Sequence, residues 1–396
     1  MKIKDIYKAN PGRNTNKYPD FIDYIDTSSV NQGRLEGVQY LLNGEYPSRA
    51  QRLIKSGDIL YSSVRPNLRH YYMYKDNYQH PVASTGFVLL RQYNLAYDNM
   101  FCYYYLSTNT IVTHLSNIAE LSQATFPSCS AKDIENINLP DINITQQRRI
   151  ASILSIYDNL IENNNKRIRL LEQMAENLYK EWFVRFRFPG HEKAEFESGL
   201  PKGWKIWSIS KLCDINRKTL NSKNKGLEIE YLDTSSITCN QIVGTESYVF
   251  EEAPSRARRI VKHNSIVFST VRPNLKHYGI LKNIPDNLIV STGFAVFDSK
   301  YDIANIIYLF LSSQEVVDYC QLIAEGAVAT YPSIKPEEIG RLKVALPNIE
   351  IAENWNGKLE SLYSEILNIQ KQNILLSRQR DLLLPRLMSG KLEVNI

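Results

Sequence analysis

Apolar positions along the chain change their spacing in the same order twice. Asp58-Ile59-Leu60-Tyr61-Ser62-Ser63-Val64 is a short β-branched, aromatic and aliphatic run that stops at Arg65-Pro66-Asn67, and Ser265-Ile266-Val267-Phe268-Ser269-Thr270-Val271 stops at Arg272-Pro273-Asn274. Both read as strands entering turns, because such side chains suit a pleated surface and proline removes a ladder donor. Met100 to Leu106 and Ile306 to Leu311 are apolar throughout and read as buried helix segments. After Leu139-Pro140 and again after Leu346-Pro347 the spacing becomes an alternation of four and three. From Ile150 it runs through Leu154, Tyr157, Ile161, Asn164, Ile168, Leu171, Ala175, Leu178 and Trp182. The second series is Leu359, Leu362, Ile366, Ile369, Asn373, Leu376, Arg380, Leu383 and Leu387. Each series predicts a long helix with a coiled-coil seam, about 50 Å long at ~1.5 Å per residue. Pro385 is expected to end or kink the second.

The recurrence is literal. Tyr24-Ile25-Asp26-Thr27-Ser28-Ser29 returns as Tyr231-Leu232-Asp233-Thr234-Ser235-Ser236, and Pro47-Ser48-Arg49-Ala50 as Pro254-Ser255-Arg256-Ala257. Val64-Arg65-Pro66-Asn67-Leu68 returns unchanged at Val271 to Leu275, and Ser84-Thr85-Gly86-Phe87 returns as Ser291-Thr292-Gly293-Phe294. One offset of 207 residues relates all four, Tyr24 to Tyr231 for instance; it slips to 205 at Thr125-Phe126-Pro127-Ser128 against Thr330-Tyr331-Pro332-Ser333. Self-similarity at a fixed period marks a duplicated structural unit.

The expected fold is α+β: two similar mixed α/β domains joined by two long helices. A seam requires a partner seam, and a mixed domain between the helices favours an antiparallel coiled coil with a pseudo-two-fold relation. The expected boundaries are 1–141 and 189–347 for the mixed domains, and 142–188 and 348–396 for the helices. Asn164 and Asn373 lie near the middle of their seams. Two readings stand: facing asparagines that fix the register, or two partly exposed polar positions.

A formal charge of +5 and a pI near 8.7 point mildly toward a polyanionic partner. The five cysteines, Cys102, Cys129, Cys213, Cys239 and Cys320, form no C-x-x-C pair, so free thiols in a reducing cytosol are expected. The segment from Met1 to Asp5 lacks an apolar signal region, and no apolar run approaches the roughly 20 residues of a membrane span. A cytoplasmic protein with no membrane partner is expected.

Catalytic motifs are missing. The sequence has no Pro-Pro pair, which the Asn/Asp-Pro-Pro-aromatic motif of DNA methyltransferases requires, and neither G-x-x-x-x-G-K-[ST] nor G-x-G-x-x-G. Pro285-Asp286 followed by Asp298-Ser299-Lys300 resembles a magnesium-dependent nuclease pattern, but Gln79, Arg91 and Tyr93 occupy the equivalent positions of the first half. An exposed turn and strand end is the expectation there. His70 and His277 are equivalent and lack a Cys/His cluster, so no metal is expected; surface or DNA-backbone contacts are.

A matched set of basic residues remains: Arg49, Arg52, Lys55, Arg65 and Arg69 in the first half, and Arg256, Arg258, Arg259, Lys262, Arg272 and Lys276 in the second. Such side chains neutralise phosphates, while Arg pairs bidentately with guanine and Asn with adenine. Arg65, Asn67, Arg272 and Asn274 are therefore candidate base readers. Equally, Pro66 and Pro273 terminate strands, with Arg and Asn capping the turns. Asp26 to Ser29 and Asp233 to Ser236 read as strand ends or capping turns, and Tyr71, Tyr72 and Tyr74 as core packing.

The order mixed domain, long helix, mixed domain, long helix resembles the specificity subunit of type I restriction-modification enzymes over nearly the whole chain. Gly199-Leu200-Pro201-Lys202-Gly203-Trp204 with Leu212-Cys213-Asp214-Ile215 resembles the entry into a target-recognition domain. Gln146-Gln147-Arg148-Arg149-Ile150-Ala151-Ser152-Ile153-Leu154 resembles the start of a spacer helix, and Glu181-Trp182-Phe183 its end. The resemblance implies that each target-recognition domain reads half of a split site in double-stranded DNA. It also implies that the helices set the gap and dock two copies of a methyltransferase subunit, which motor-nuclease subunits join. No cofactor is expected in this chain; S-adenosylmethionine, and ATP with Mg for restriction, belong to the partners. Met1 to Tyr24 lacks a counterpart of Gly199 to Trp204, and Ala352-Glu353-Asn354-Trp355-Asn356 departs from Gln146 to Ala151. A duplicated scaffold binding other proteins and an autonomous nuclease are the alternatives.

Overall fold

The computed structural model describes residues 1–13, 18, 20–122, 127–327 and 332–392; Thr125, Phe126, Thr330 and Tyr331 of the repeated strings lie outside them. Two compact units emerge: residues 1–163 with the described part of 373–396, and residues 164–372.

In the first unit an antiparallel sheet has the order Tyr7–Ala9, Phe87–Gln92, Ile59–Ser62, Tyr71–Met73. A second sheet has the order Gln39–Leu42, Phe21–Ile25, Pro81–Ser84, Ala50–Leu53, with its central pair parallel. The uninterrupted apolar run at Ile59 follows from burial on both faces. Ile59, Tyr61, Val88 and Leu90 face a helical layer containing Phe101 and Leu106, while Leu60, Phe87 and Leu89 pack with Ile25 and Ala83. Tyr71, Tyr72 and Tyr74 are all buried, as core packing requires.

The second unit repeats this order strand for strand: Cys213–Ile215, Phe294–Ser299, Ser265–Ser269, Tyr278–Leu281 in one sheet, and Glu246–Val249, Glu228–Leu232, Leu288–Ser291, Ala257–Ile260 in the other. The apolar runs read as buried helix segments are the helices Asn99–Leu106 and Ala304–Leu311. Here Lys205–Ser208 additionally pairs with Lys343–Leu346.

The long helices are Ile144–Tyr179, of 36 residues, and Ile349–Met388, of 40. Their segments pair antiparallel within each unit. In the first, Ile150 and Leu154 share a core with Leu387 and Met388, and Asp158 pairs with Arg380 at 2.5 Å. In the second, Ile168, Ala175 and Tyr179 pack with Leu359, Tyr363, Ile366 and Ile369, and Arg167 pairs with Glu365 at 3.0 Å. Leu154, Ile161 and Ile168 are buried, and Tyr157, Leu171, Leu178, Leu362, Leu376 and Leu383 are half-buried. Asn164 and Asn373, at 7% and 9% exposed, are not the partly exposed positions of the second reading.

Pro385 does not end its helix, which continues to Met388. The turn beyond it is retained because Leu387 and Met388 are buried in the first unit's core. At the other helix, a π-helical turn at Lys180–Val184 brings Trp182 and Phe183 onto Trp355, with ring centroids 5.3 and 5.7 Å away. Trp204, delivered by the Gly199 to Trp204 segment, lies 5.9 Å from Phe183.

Candidate nucleic-acid interface

The four repeated strings, far apart in sequence, meet in each unit. The Thr85 amide donates to the Arg49 carbonyl at 2.8 Å, and the Ser63 amide donates to the Gly86 carbonyl at 2.9 Å. Thr292 with Arg256 and Thr270 with Gly293 repeat both bonds at the same distances. Glycine is required at the junction, since a Cβ on Gly86 or Gly293 would stand 2.9 Å from Cγ2 of Thr27 or Thr234. Those threonines are held by Asp26, whose Oδ1 accepts from the Ser28 and Ser29 amides at 2.7 and 3.0 Å, and by Asp233, which accepts from the Ser235 and Ser236 amides. The Asp-Thr-Ser-Ser strings are therefore capping turns.

From this junction projects the Arg-Pro-Asn-Leu turn. Pro66 and Pro273 are buried and open a 3-10 turn, while Arg65, Asn67, Arg272 and Asn274 are exposed. Both turns are bounded by residues in the left-handed region: Arg65 and Arg69 at φ 47° and 58°, and Arg272 and Lys276 at 46° and 57°. Such conformations cost ~1–3 kcal/mol per non-glycine residue and persist only where the surroundings impose them. Here the Arg65 and Arg272 amides are fixed at 2.9 Å by the Pro127 and Pro332 carbonyls. The Asn67 and Asn274 side chains make no hydrogen bond among the described residues, so the capping reading does not extend to them.

The other basic candidates divide by environment. Arg49 and Arg256 are exposed. Arg52 and Arg259 follow equivalent β-bulges, and their Nε atoms are buried without a partner among the described residues. Desolvation lowers the pKa of both, with Arg13 adding to the effect at Arg52. Arg69 is tied to Asn109 and Lys276 to Gln314, the latter at 2.8 Å, at the first residues of the helices Asn109–Glu120 and Gln314–Ala327. Arg69 and Lys276 also border equivalent cavities of about 360 and 250 Å³.

The model of the type I restriction modification DNA specificity domain matches this chain twice, over residues 1–173 and 201–376. The chain belongs to this family. Each match takes in one Arg-Pro-Asn-Leu turn and one set of meeting strings. Among relatives, the chain is 26% identical to the type I restriction enzyme MjaIX specificity subunit of Methanocaldococcus jannaschii, over 74% of this chain and 69% of that one. It is 23% identical to the HindI specificity subunit of Haemophilus influenzae, over 95% of each. The crystal structure of a type I restriction-modification S subunit from M. genitalium superposes with a TM-score of 0.55, covering 98% and 95% of the two chains at 15% identity, a likeness of fold. No helix among the described residues of this specificity subunit is long and apolar enough to cross a membrane.

The surface expectation for the two histidines of this specificity subunit is corrected. His70 and His277 are half-buried and engage the hairpin carbonyls of Val30 and Ile237, the second at 2.8 Å, so a ring nitrogen of each serves the fold rather than the surface. The nuclease-like residues lie, as expected, at an exposed turn and at the end of the strand Phe294–Ser299, with burial of Asp298 the one departure. Asp298 is buried and accepts from the Ser265 hydroxyl at 2.5 Å, Lys300 pairs with Asp214 at 3.6 Å, and Asp286 is exposed on a loop. Among the described residues there is no group of three or more His, Cys, Asp or Glu side chains that could hold a metal.

Bulges, left-handed residues and meeting strings are signals that sequence reading missed. The bulges carry no composition mark. The meeting of the strings is visible only as their equal offset.

Proposed function

We propose that each unit reads one half of a bipartite DNA target through its Arg-Pro-Asn-Leu turn, and that the chain performs no catalysis itself. The reading rests on one observation: in both units the internally repeated strings are spent on holding a strained turn with exposed Arg and Asn side chains. Arg65 and Asn67, and Arg272 and Asn274, suit guanine and adenine edges in the major groove. Arg49 and Arg256, exposed beside the turns, suit the flanking phosphates, and Arg52 and Arg259 add positive charge close to them. Arg69 and Lys276 act on DNA mainly by bracing the turn against the neighbouring helix.

Two copies of a methyltransferase subunit dock on the long helices. Apolar residues outside the seams support this: Ile156, Leu160, Ile374, Leu375 and Leu382 in the first unit, and Leu170 and Met174 in the second, are each about half exposed or more. Motor-nuclease subunits join that core. S-adenosylmethionine is bound by the methyltransferase, and ATP and Mg by the restriction subunits.

The test is binding of the chain, assembled with its methyltransferase, to duplex DNA, together with methylated-base sequencing of host DNA. A split methylated motif bound with a steep salt dependence supports the reading. Assembly without sequence-selective binding refutes it.

A further inference from the structure

The recognition turns end on an exposed leucine that lies outside the apolar cores. Leu68 and Leu275 close the unchanged Val-Arg-Pro-Asn-Leu strings, yet they are 47% and 48% exposed and belong to neither unit's apolar cores. The backbone holds them in place. The Leu68 amide donates to the Arg65 carbonyl at 2.9 Å and the Leu275 amide to the Arg272 carbonyl at 3.0 Å, inside turns closed at both ends by left-handed basic residues. Burial across each turn is the same: exposed Arg, buried Pro, exposed Asn, exposed Leu. Each leucine is thus an apolar group fixed beside two polar ones at an otherwise polar tip.

We infer that Leu68 and Leu275 are specificity-determining residues that contact the 5-methyl group of a thymine, one in each half-site. This rests on the proposed DNA reading and deepens it. In the major groove guanine offers two acceptors, adenine a donor and an acceptor, and thymine a methyl group, the one apolar feature there. Arg, Asn and Leu on one turn match these three features. A leucine side chain has no hydrogen bond to offer a phosphate, so its contribution is shape and burial at a base edge.

The experiment uses the chain assembled with its methyltransferase and duplexes carrying the mapped bipartite site. Each thymine is replaced in turn by deoxyuridine, which removes the methyl and keeps the base pair. Burial of one methyl predicts a three- to tenfold loss of affinity, by order of magnitude, at one thymine in each half-site. Leu68→Ala should lose about the same on the thymine duplex and become insensitive to deoxyuridine in one half-site only; Leu275→Ala should do so in the other. Half-sites lacking thymine, wild-type binding indifferent to every deoxyuridine, or alanine variants that keep the wild-type sensitivity would each overturn the inference while leaving the DNA reading intact. Wild-type protein that binds no sequence selectively would overturn both.

Discussion

Asp298 accepts a hydrogen bond from Ser265 at 2.5 Å, and the equivalent positions of the first unit, Arg91 and Asp58, form an ion pair at 2.6 Å. One duplicated framework thus connects the same two strands in two ways. A buried position tolerates a polar group when its partner is present and disfavours it when the partner is lost. Asp58 is 2% exposed, so removing Arg91 strands a carboxylate. Arg91→Met should lower stability by about 2–4 kcal/mol, and Asp58→Asn in the same chain should recover more than half. Urea denaturation of the two variants checks this.

Asp298→Ala should cost about 1–3 kcal/mol, because the fully buried Ser265 hydroxyl loses its acceptor. Asp298→Asn, which keeps an acceptor oxygen, should restore most of that without changing Mg-dependent DNA cleavage by the assembled complex. Cleavage lost by Asp298→Asn at wild-type stability and DNA affinity would restore the nuclease reading.

At the junction, Gly86→Ala should destabilise the first unit by about 1–3 kcal/mol through contact of the new Cβ with Cγ2 of Thr27. Thr27→Ser removes that methyl and should rescue the variant. The same pair of substitutions at Gly293 and Thr234 should behave alike. Thermal melting resolves both, and failure of the serine rescue would show that the glycine is needed for another reason.

Much of this fold was legible because two signals are nearly independent of tertiary context. The four-three alternation from Ile150 requires a seam whatever lies opposite it, and the constant offset pairs Tyr24 with Tyr231 without any knowledge of structure. What was not legible depends on distant partners. The helix runs past Pro385 only because Leu387 and Met388 find a core, and His70 turns to Val30, 40 residues away. Asp298 was expected at an exposed strand end, and its burial against Ser265 depends on a strand 33 residues away. Among the candidate basic residues, sequence supplied the set but not its division. Arg65 and Arg69 both belong to one short turn, yet Arg65 is exposed while Arg69 is half-buried and tied to Asn109 at a helix start.

That division makes a prediction about specificity. Arg65→Ala should relax discrimination at one base pair of one half-site by about 1–3 kcal/mol, and Arg272→Ala should do so in the other half-site, with little change in the salt slope. Arg49→Ala and Arg256→Ala should instead weaken all sequences alike and lower the slope by about one. Competition binding against single-substitution duplexes at two or three salt concentrations separates the patterns. Uniform weakening by Arg65→Ala would assign that residue to phosphate.

The second unit carries a built-in pH dependence at its cavity. Glu172 is displaced from the ordinary 4.5 up to about 7, first by burial and then by the neighbouring Glu176, with Arg169 opposing. It borders the cavity along with Glu176, Lys180, Lys276, Tyr308 and Tyr363. An acid whose pKa is higher in the folded state holds a proton there that the unfolded chain has released. Between about pH 4.5 and 7 the native state therefore binds more protons, and stability falls as pH rises through that window, then levels off. Glu172→Gln cannot ionise, so it should flatten this part of the profile and exceed wild type at pH 8 by ~1–3 kcal/mol. Urea denaturation at intervals from pH 5 to 8 measures both curves. Parallel profiles for wild type and variant would mean that Glu172 titrates as an ordinary surface carboxylate.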